Sequence, residues 1–111
     1  MASLNSLLIE GFVVGKIRGK DTKKGGKVCE FKIQDDKYIN DEPDLTNRFS
    51  QFQVVCFDSI AIRCMEKLQI GSPMRIVGKL KEYRYRQRSE IKIIADHIEF
   101  KYYKKGVKEN G

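Results

Sequence analysis

Five stretches of the chain alternate between apolar and polar residues, and segments rich in turn-forming residues separate them. Alternation with a period of two is typical of a β-strand that buries one face. The pattern predicts strands over Ser6–Arg18, Lys27–Tyr38, Phe49–Phe57, Met74–Arg86 and Ser89–Lys101. Gly25 and Gly26 predict a tight turn between the first two strands. The acidic segment around Pro43 predicts a solvated loop between the second and the third.

One helix is predicted between the third and fourth strands. Its apolar residues recur at helical spacing and are Ile60, Ala61, Cys64, Met65 and Leu68. Asp58 can cap the start of this helix, and Gly71 with the following Ser72 and Pro73 can end it. The resulting order of elements is β-β-β-α-β-β.

This order, in a chain of 111 residues, predicts one small domain. It is the plan of the OB-fold, a partly open Greek-key barrel of five strands. We therefore predict an all-β fold, a five-stranded OB-fold Greek-key barrel with one helix between strands 3 and 4. We expect the domain to span residues 1–101 and to be followed by a short, basic and flexible C-terminal end at residues 102–111.

The predicted fourth strand interleaves basic and aromatic side chains. Residues two apart in a strand share a face. One face carries Lys79, Lys81, Tyr83 and Tyr85, and the other carries Met74, Ile76 and Leu80, which we expect to point inward. Exposed tyrosine beside lysine suits unpaired nucleic acid, because bases stack on rings and phosphates pair with cations. Tyrosine also favours strand formation and lysine favours solubility, so the pattern has a purely structural reading as well.

The formal net charge is +7, from 22 Lys and Arg against 15 Asp and Glu. Such an excess favours binding to polyanions. It is concentrated in residues 16–27 and 79–92, whereas residues 35–44 are acidic and are expected to face away from a polyanion. The candidate phosphate contacts are Lys16, Arg18, Lys23, Lys24, Lys79, Lys81, Arg84, Arg86 and Arg88. Each of them alone could be a solvated surface charge, so the inference rests on the two clusters.

Three cysteines, Cys29, Cys56 and Cys64, fit neither a disulfide framework nor a CxxC metal site. Buried, reduced thiols in a cytosolic protein are the expectation. The N-terminus lacks the basic region of a signal peptide, and no apolar run is long enough to span a membrane.

Several short pieces, in one order along the chain, resemble the bacterial single-stranded DNA-binding proteins from about Leu4 to Phe100. The pieces are Asn5 with Gly11, Gly25-Gly26 with Phe31, Val54–Phe57, Ala61 with Leu68 and Gly71-Ser72, and Ile76–Leu80. The resemblance implies sequence-tolerant binding of single-stranded DNA in replication, recombination and repair. It also implies a homotetramer that works in the bacterial cytoplasm, on the nucleoid.

Stacking positions carry over from the resemblance. Phe57 and Tyr85 match aromatic residues that stack on DNA in the family. Tyr38 lies one position from a third such site, at Ile39, and needs a bulge to re-aim it. A fourth site of the family is occupied here by Gln51, and Phe49, two residues earlier, can provide the aromatic ring instead. The stacking candidates are therefore Phe57, Tyr85, Tyr83, Tyr38 and Phe49. Because the chain has no tryptophan, which the family commonly uses, we expect a greater dependence on charge.

The C-terminal residues form the largest departure from the family. The family usually continues into a long segment that ends in an acidic peptide recruiting other proteins, whereas Lys101–Gly111 is basic and polar. Whether the chain is shortened or the protein lacks that function, tail-mediated partner binding is in doubt.

Two other classes of function are weighed against DNA binding. An enzyme would need converging carboxylates, and the candidates are Asp35, Asp36, Asp41, Glu42 and Asp44. The single histidine, His97, has no recognisable nucleophile partner, so catalysis, a metal and a cofactor are not expected. An OB-fold module of another kind, such as a primosomal replication protein, a tRNA-binding domain or a protein-interaction module, is the stronger alternative. The residues do not distinguish DNA from RNA.

Overall fold

The computed structural model describes residues 5–35 and 50–101, which contain five strands and one helix. Their bounds are β1 (Leu7–Asp21), β2 (Lys27–Asp35), β3 (Gln51–Phe57), α1 (Asp58–Lys67), β4 (Pro73–Tyr85) and β5 (Arg88–Phe100). The predicted order of elements is confirmed. The expected extension of the second strand to Tyr38 and the start of the third at Phe49 lie outside the described residues. The division at residue 101 stays a prediction for the same reason.

The strands form a closed barrel in the order β1-β2-β3-β5-β4. Neighbouring strands are antiparallel except β3 and β5, which close the barrel through two parallel pairs, Val54 with Ile93 and Val55 with Ile94. This arrangement, with α1 between β3 and β4, confirms the OB-fold. Within the described ranges, no helix is both long enough and apolar enough to cross a membrane.

β1 takes part in two sides of the barrel because it bends midway. Its first half pairs with β4, and it pairs with β2 along most of its length. The register with β2 shifts between Val14 and Arg18, and Gly15 in this interval has a φ of 82°. Glycine adopts that left-handed conformation without the steric cost that a side chain would bring. The irregularity is not visible in the alternation of the sequence.

The barrel interior is filled by the inward residues of the strands and by one face of α1. Among the largest fully buried side chains are Phe31, Ile33, Met74, Ile76 and Ile93. Ala61 and Cys64, on the inner face of α1, are fully buried against this core. The predicted inward positions Met74 and Ile76 are therefore confirmed.

The three cysteines are free, buried and close together. The Sγ atoms of Cys56 and Cys64 are 3.7 Å apart, and the Cys56 thiol donates to the carbonyl oxygen of Cys29 over 3.6 Å. Contact with the Cys29 thiol and burial in the apolar interior raise the pKa of Cys64 to about 12. The pKa of Cys56 is raised by the same causes. Both thiols are thus neutral packing groups at neutral pH.

The expected capping role of Asp58 is wrong. The N-cap of α1 is Phe57, and no side chain makes a capping hydrogen bond there. Asp58 is the first helical residue and has a φ of 52°. Its Oδ1 atom instead accepts a hydrogen bond from the backbone N–H of Lys27, 3.2 Å away. The carboxylate therefore ties the start of α1 to the β1–β2 hairpin.

β4 and β5 continue past the barrel as a two-stranded extension, residues 79–92, which we call the arm. Among the described residues, β1 pairs with β4 only as far as Gly78, and β3 pairs with β5 from Ile93 onward. Leu80 lies on the core-directed side of the arm but is 46 % exposed, so the expectation that it points into the core is wrong. Ile91, on the same side, is 64 % exposed. Both residues lie beyond the end of the barrel.

Candidate nucleic-acid interface

The outward surface of the sheet is continuous from β2 to β4. Paired residues of neighbouring strands place their side chains on one face. The pairs Glu30 with Val55, Val55 with Ile94 and Ile94 with Lys79 therefore form one row across four strands. Val55, in the middle of this row, is almost fully buried. The Lys92 ammonium of the arm lies 3.8 Å from a carboxylate oxygen of Glu30 on β2, so this side chain reaches over β3.

The arm carries cations and tyrosines on this outward side. The cross-strand pairs are Lys81 with Lys92, Tyr83 with Glu90 and Tyr85 with Arg88. We call the side chains of Lys79, Lys81, Tyr83, Tyr85, Arg88, Glu90 and Lys92 the Tyr/Lys face. The register places four side chains on one side, as the alternation predicted: Lys79, Lys81, Tyr83 and Tyr85.

Cations lie against both tyrosine rings of the Tyr/Lys face. The Nζ atoms of Lys92 and Lys81 are 4.8 and 5.8 Å from the ring centroid of Tyr83. The Cζ atom of Arg88 is 5.8 Å from the ring centroid of Tyr85. These separations are within the range of cation–π attraction. Tyr85 is 41 % exposed, whereas Tyr83 is half-buried. The ring of Tyr85 therefore has more free surface for a base.

Lys92 is the central cation of the face. Its side chain is only 11 % exposed, and its ammonium lies 3.8 Å from a carboxylate oxygen of Glu30 and 3.8 Å from one of Glu90. Burial opposes the charge, but the Glu30 carboxylate and the Tyr85 hydroxyl outweigh it and raise the pKa of Lys92 above its ordinary value. Lys92 therefore stays protonated while it lies across β3.

Phe57 ends β3 at the other end of the outward surface. Its backbone pairs with Val28, its ring is 41 % exposed, and α1 begins at the next residue. Phe57 and Val55 are two residues apart in one strand, so they share the outward side. The structure thus places the stacking candidates Phe57 and Tyr85 on one continuous surface, with the nearly buried Val55 between them.

Two of the basic candidates in β1 border this surface. Lys16 and Arg18 line a groove of about 450 Å³ that opens between the irregular part of β1 and the outward sides of β2 and β3. Lys32, Gln51 and Gln53 line the groove as well. Lys23 and Lys24 lie in the exposed turn of the β1–β2 hairpin and do not line it. The first basic cluster is therefore divided between the groove and the hairpin tip.

Comparison with known proteins agrees with this geometry. The Single-strand binding protein family matches residues 4–101. The chain belongs to the Single-strand binding protein family. The SSB domain of a protein from Synechococcus sp. has a similar structure, with a TM-score of 0.68 at 12 % sequence identity, over 89 % of this chain and 98 % of that chain. At that identity the likeness shows the fold alone. No curated protein matches the sequence.

The tip of the arm in this Single-strand binding protein family member is basic on both sides. Arg84 alternates with Tyr85 and so projects from the side opposite the Tyr/Lys face, where it pairs with Glu82 at 3.6 Å. Arg86 lies in the exposed turn. Arg88 reaches Glu90 at 4.0 Å, an exposed ion pair of small energy. A strand that contacts Arg84 as well as Tyr85 would have to pass around the edge of the arm.

Two stacking candidates of this family member cannot be placed. Tyr38 and Phe49 lie outside the described residues, as do Asp36, Asp41, Glu42 and Asp44. Of the carboxylates considered for an enzyme, only Asp35 is described, at the end of β2.

Lys92 was missed by the sequence reasoning, although a signal for it exists. A hairpin that turns at residues 86 and 87 places Lys92 directly opposite Lys81, as the structure has it. Lys32, on the groove, was missed because it lies outside both basic clusters, in a strand that also carries Glu30, Gln34 and Asp35. Its position became informative only when the groove beside it was known.

Proposed function

We propose that this protein binds single-stranded DNA without sequence preference, along the outward surface of β2, β3 and the arm. Bases stack on Phe57 and Tyr85, with Tyr38 and Phe49 as further candidates, and basic side chains neutralise phosphates. The observation that carries the proposal is the Tyr/Lys face, where ammonium and guanidinium groups lie within 5.8 Å of two tyrosine rings. Membership of the family supports it.

Charge contributes a large share of the affinity in this proposal. Stacking is worth roughly 1 to 3 kcal/mol per base, and this chain has no tryptophan to provide the largest ring. If about four phosphates per protomer are neutralised, the slope of log affinity against log salt is about −2.8, from roughly −0.7 per contact on single strands. A fourfold rise in salt then weakens binding about fiftyfold.

The proposal extends to the cellular role. We propose that the protein is a homo-oligomer, a tetramer by analogy with its family, that serves replication, recombination and repair in the cytoplasm. The exposed pair of Leu8 in β1 and Val77 in β4 supports oligomerisation, because it leaves apolar surface that a second copy can cover. The proposed action is binding and not catalysis.

The proposal is tested by fluorescence anisotropy with a labelled oligo-dT at two salt concentrations. Duplex DNA and an RNA of matching sequence serve as competitors. We expect tight, salt-sensitive binding that duplex DNA does not displace, and the RNA competition reports the sugar preference. Preference for duplex or for structured RNA would contradict the proposal and favour an OB-fold module of another kind.

A further inference from the structure

The two tyrosines of the arm differ in their surroundings. Two ammonium groups, from Lys81 and Lys92, lie against the ring of Tyr83, which is half-buried. One guanidinium, from Arg88, lies against Tyr85, which is 41 % exposed. A base that stacks on Tyr83 has to compete with two cations for the surface of the ring. A base that stacks on Tyr85 has more open surface and one cation, Arg88, against the ring, because Lys92 contacts Tyr85 at its hydroxyl.

Tyr83 lies where two like charges are brought together. Lys81 and Lys92 are direct cross-strand partners, and like charges placed opposite each other in a sheet destabilise it. The electron-rich face of Tyr83 and the carboxylates of Glu30 and Glu90 offset that repulsion. In the free protein both ammonium groups therefore lie within 5.8 Å of the centroid of one ring.

We propose that Tyr83 is a positioning residue that holds Lys81 and Lys92 together as a subsite for one backbone phosphodiester, instead of stacking on a base. The inference rests on the proposed function and deepens it. A phosphodiester that enters the subsite takes the place of Glu30 and Glu90 at the Lys92 ammonium. The two carboxylates keep Lys92 in position in the free protein and compete with the phosphate on binding.

The test compares two ligands of equal length, oligo-dT and an abasic deoxyribose-phosphate chain, which offers phosphates but no bases. Replacing Tyr83 by Leu (Y83L) removes the ring that attracts both ammonium groups. We expect Y83L to weaken binding of both ligands by the same factor, about two- to fivefold. The salt slope for both becomes shallower, by up to about 0.7 for each phosphate that the variant no longer neutralises.

Tyr85→Leu is the matched control, because it removes a tyrosine from the same strand and the same face. We expect it to weaken oligo-dT about fivefold or more and the abasic chain by a clearly smaller factor, because Tyr85 contacts Lys92 only through its hydroxyl and has one cation, Arg88, against its ring. Y83F, which keeps the ring, should bind both ligands as the wild type does. Glu30→Gln should tighten both, because it removes one competitor for Lys92.

Three results decide between the alternatives. If Y83L weakens oligo-dT but not the abasic chain, Tyr83 stacks on a base and the subsite is refuted. If Y83L does not fold, Lys92→Met, which keeps the aliphatic stem, takes its place. If Lys92→Met then binds each ligand as tightly as the wild type does, the inference is overturned. Failure of the wild type to bind oligo-dT at all would refute the proposed function itself, and that outcome is separate from the other two.

Discussion

At the scale of the residue, the interface depends on which side chains keep a free surface. Phe57 and Tyr85 are equally exposed, at 41 %, and each stands at the end of a strand. The alternation of the fourth strand was enough to predict that Tyr85 shares a side with Lys79 and Lys81. It could not predict that Lys92 folds across β3, because that depends on side-chain contacts between strands that are distant in sequence.

Phe57 provides a test of stacking away from the arm. Replacing Phe57 by Leu removes a flat ring and keeps an apolar side chain, so we expect oligo-dT binding to weaken by about 1 to 3 kcal/mol with an unchanged salt slope. Ile70→Ala, which trims another exposed apolar residue, serves as the control and should leave binding unchanged. Anisotropy titrations of both variants measure the difference, and equal affinities would show that Phe57 does not stack.

Lys79 provides a test of the charge term. Lys79→Gln should weaken oligo-dT binding and make the salt slope shallower by about 0.7 if the ammonium contacts one phosphate. Lys67→Gln makes the same change of charge on the last turn of α1, outside both basic clusters, and should leave the slope unchanged. A series of titrations in increasing salt gives both slopes. Identical slopes in the two variants would mean that net charge matters and the position of Lys79 does not.

At the scale of the element, the arm is held by two hydrogen bonds between residues that are distant in sequence, Asn5 and Leu80. The Asn5 side chain donates to the carbonyl oxygen of Leu80 at 2.8 Å and accepts from the Leu80 N–H at 3.0 Å. These bonds lie at the point where β4 separates from β1.

The strands and the helix could be predicted from periodicity. The prediction that Leu80 points into the core was wrong because periodicity shows which side a residue faces and not where the barrel ends. The predicted capping role of Asp58 was wrong because its carboxylate accepts a hydrogen bond from the backbone of Lys27, in the β1–β2 hairpin.

Removal of the Asn5 side chain should loosen the arm. Asn5→Ala loses both hydrogen bonds to Leu80, each worth roughly 0.5 to 1.5 kcal/mol, so we expect the free energy of unfolding to fall by about 1 to 3 kcal/mol. Ser6→Ala, at the next exposed position, is the control and should change stability by less than about 0.5 kcal/mol. Urea denaturation measures both variants. Faster hydrogen exchange at the Leu80 amide in Asn5→Ala alone would locate the effect in the arm.

At the scale of the whole molecule, the barrel closes around a core that includes three free, buried thiols, of which Cys56 and Cys64 are neutral at pH 7. In the unfolded chain a thiol has a pKa of about 8.5, whereas the folded protein holds the pKa of Cys64 at about 12. Above pH 8.5 the unfolded state therefore binds fewer protons than the folded state. Stability must fall as the pH rises through this range.

The alkaline loss of stability can be measured. We expect the free energy of unfolding to decline between pH 9 and pH 11 by up to about 1.4 kcal/mol per pH unit for each such thiol. Cys64→Ala removes one of these groups, so its decline should be less steep, even though its stability at pH 7 is lower because of the cavity. Denaturation at a series of pH values compares the two proteins. Parallel curves would show that Cys64 ionises as readily in the folded protein as in the unfolded one.

The position of the interface on the barrel is tested most directly by NMR. Oligo-dT added to the ¹⁵N-labelled protein should shift backbone amides of the outward surface, such as those of Val55, Tyr85 and Lys92. Amides on the outward surface of β1 and β4, such as those of Leu8, Arg75 and Val77, should keep their positions. Shifts gathered around Leu8, Arg75 and Val77, with Val55, Tyr85 and Lys92 unchanged, would contradict the account.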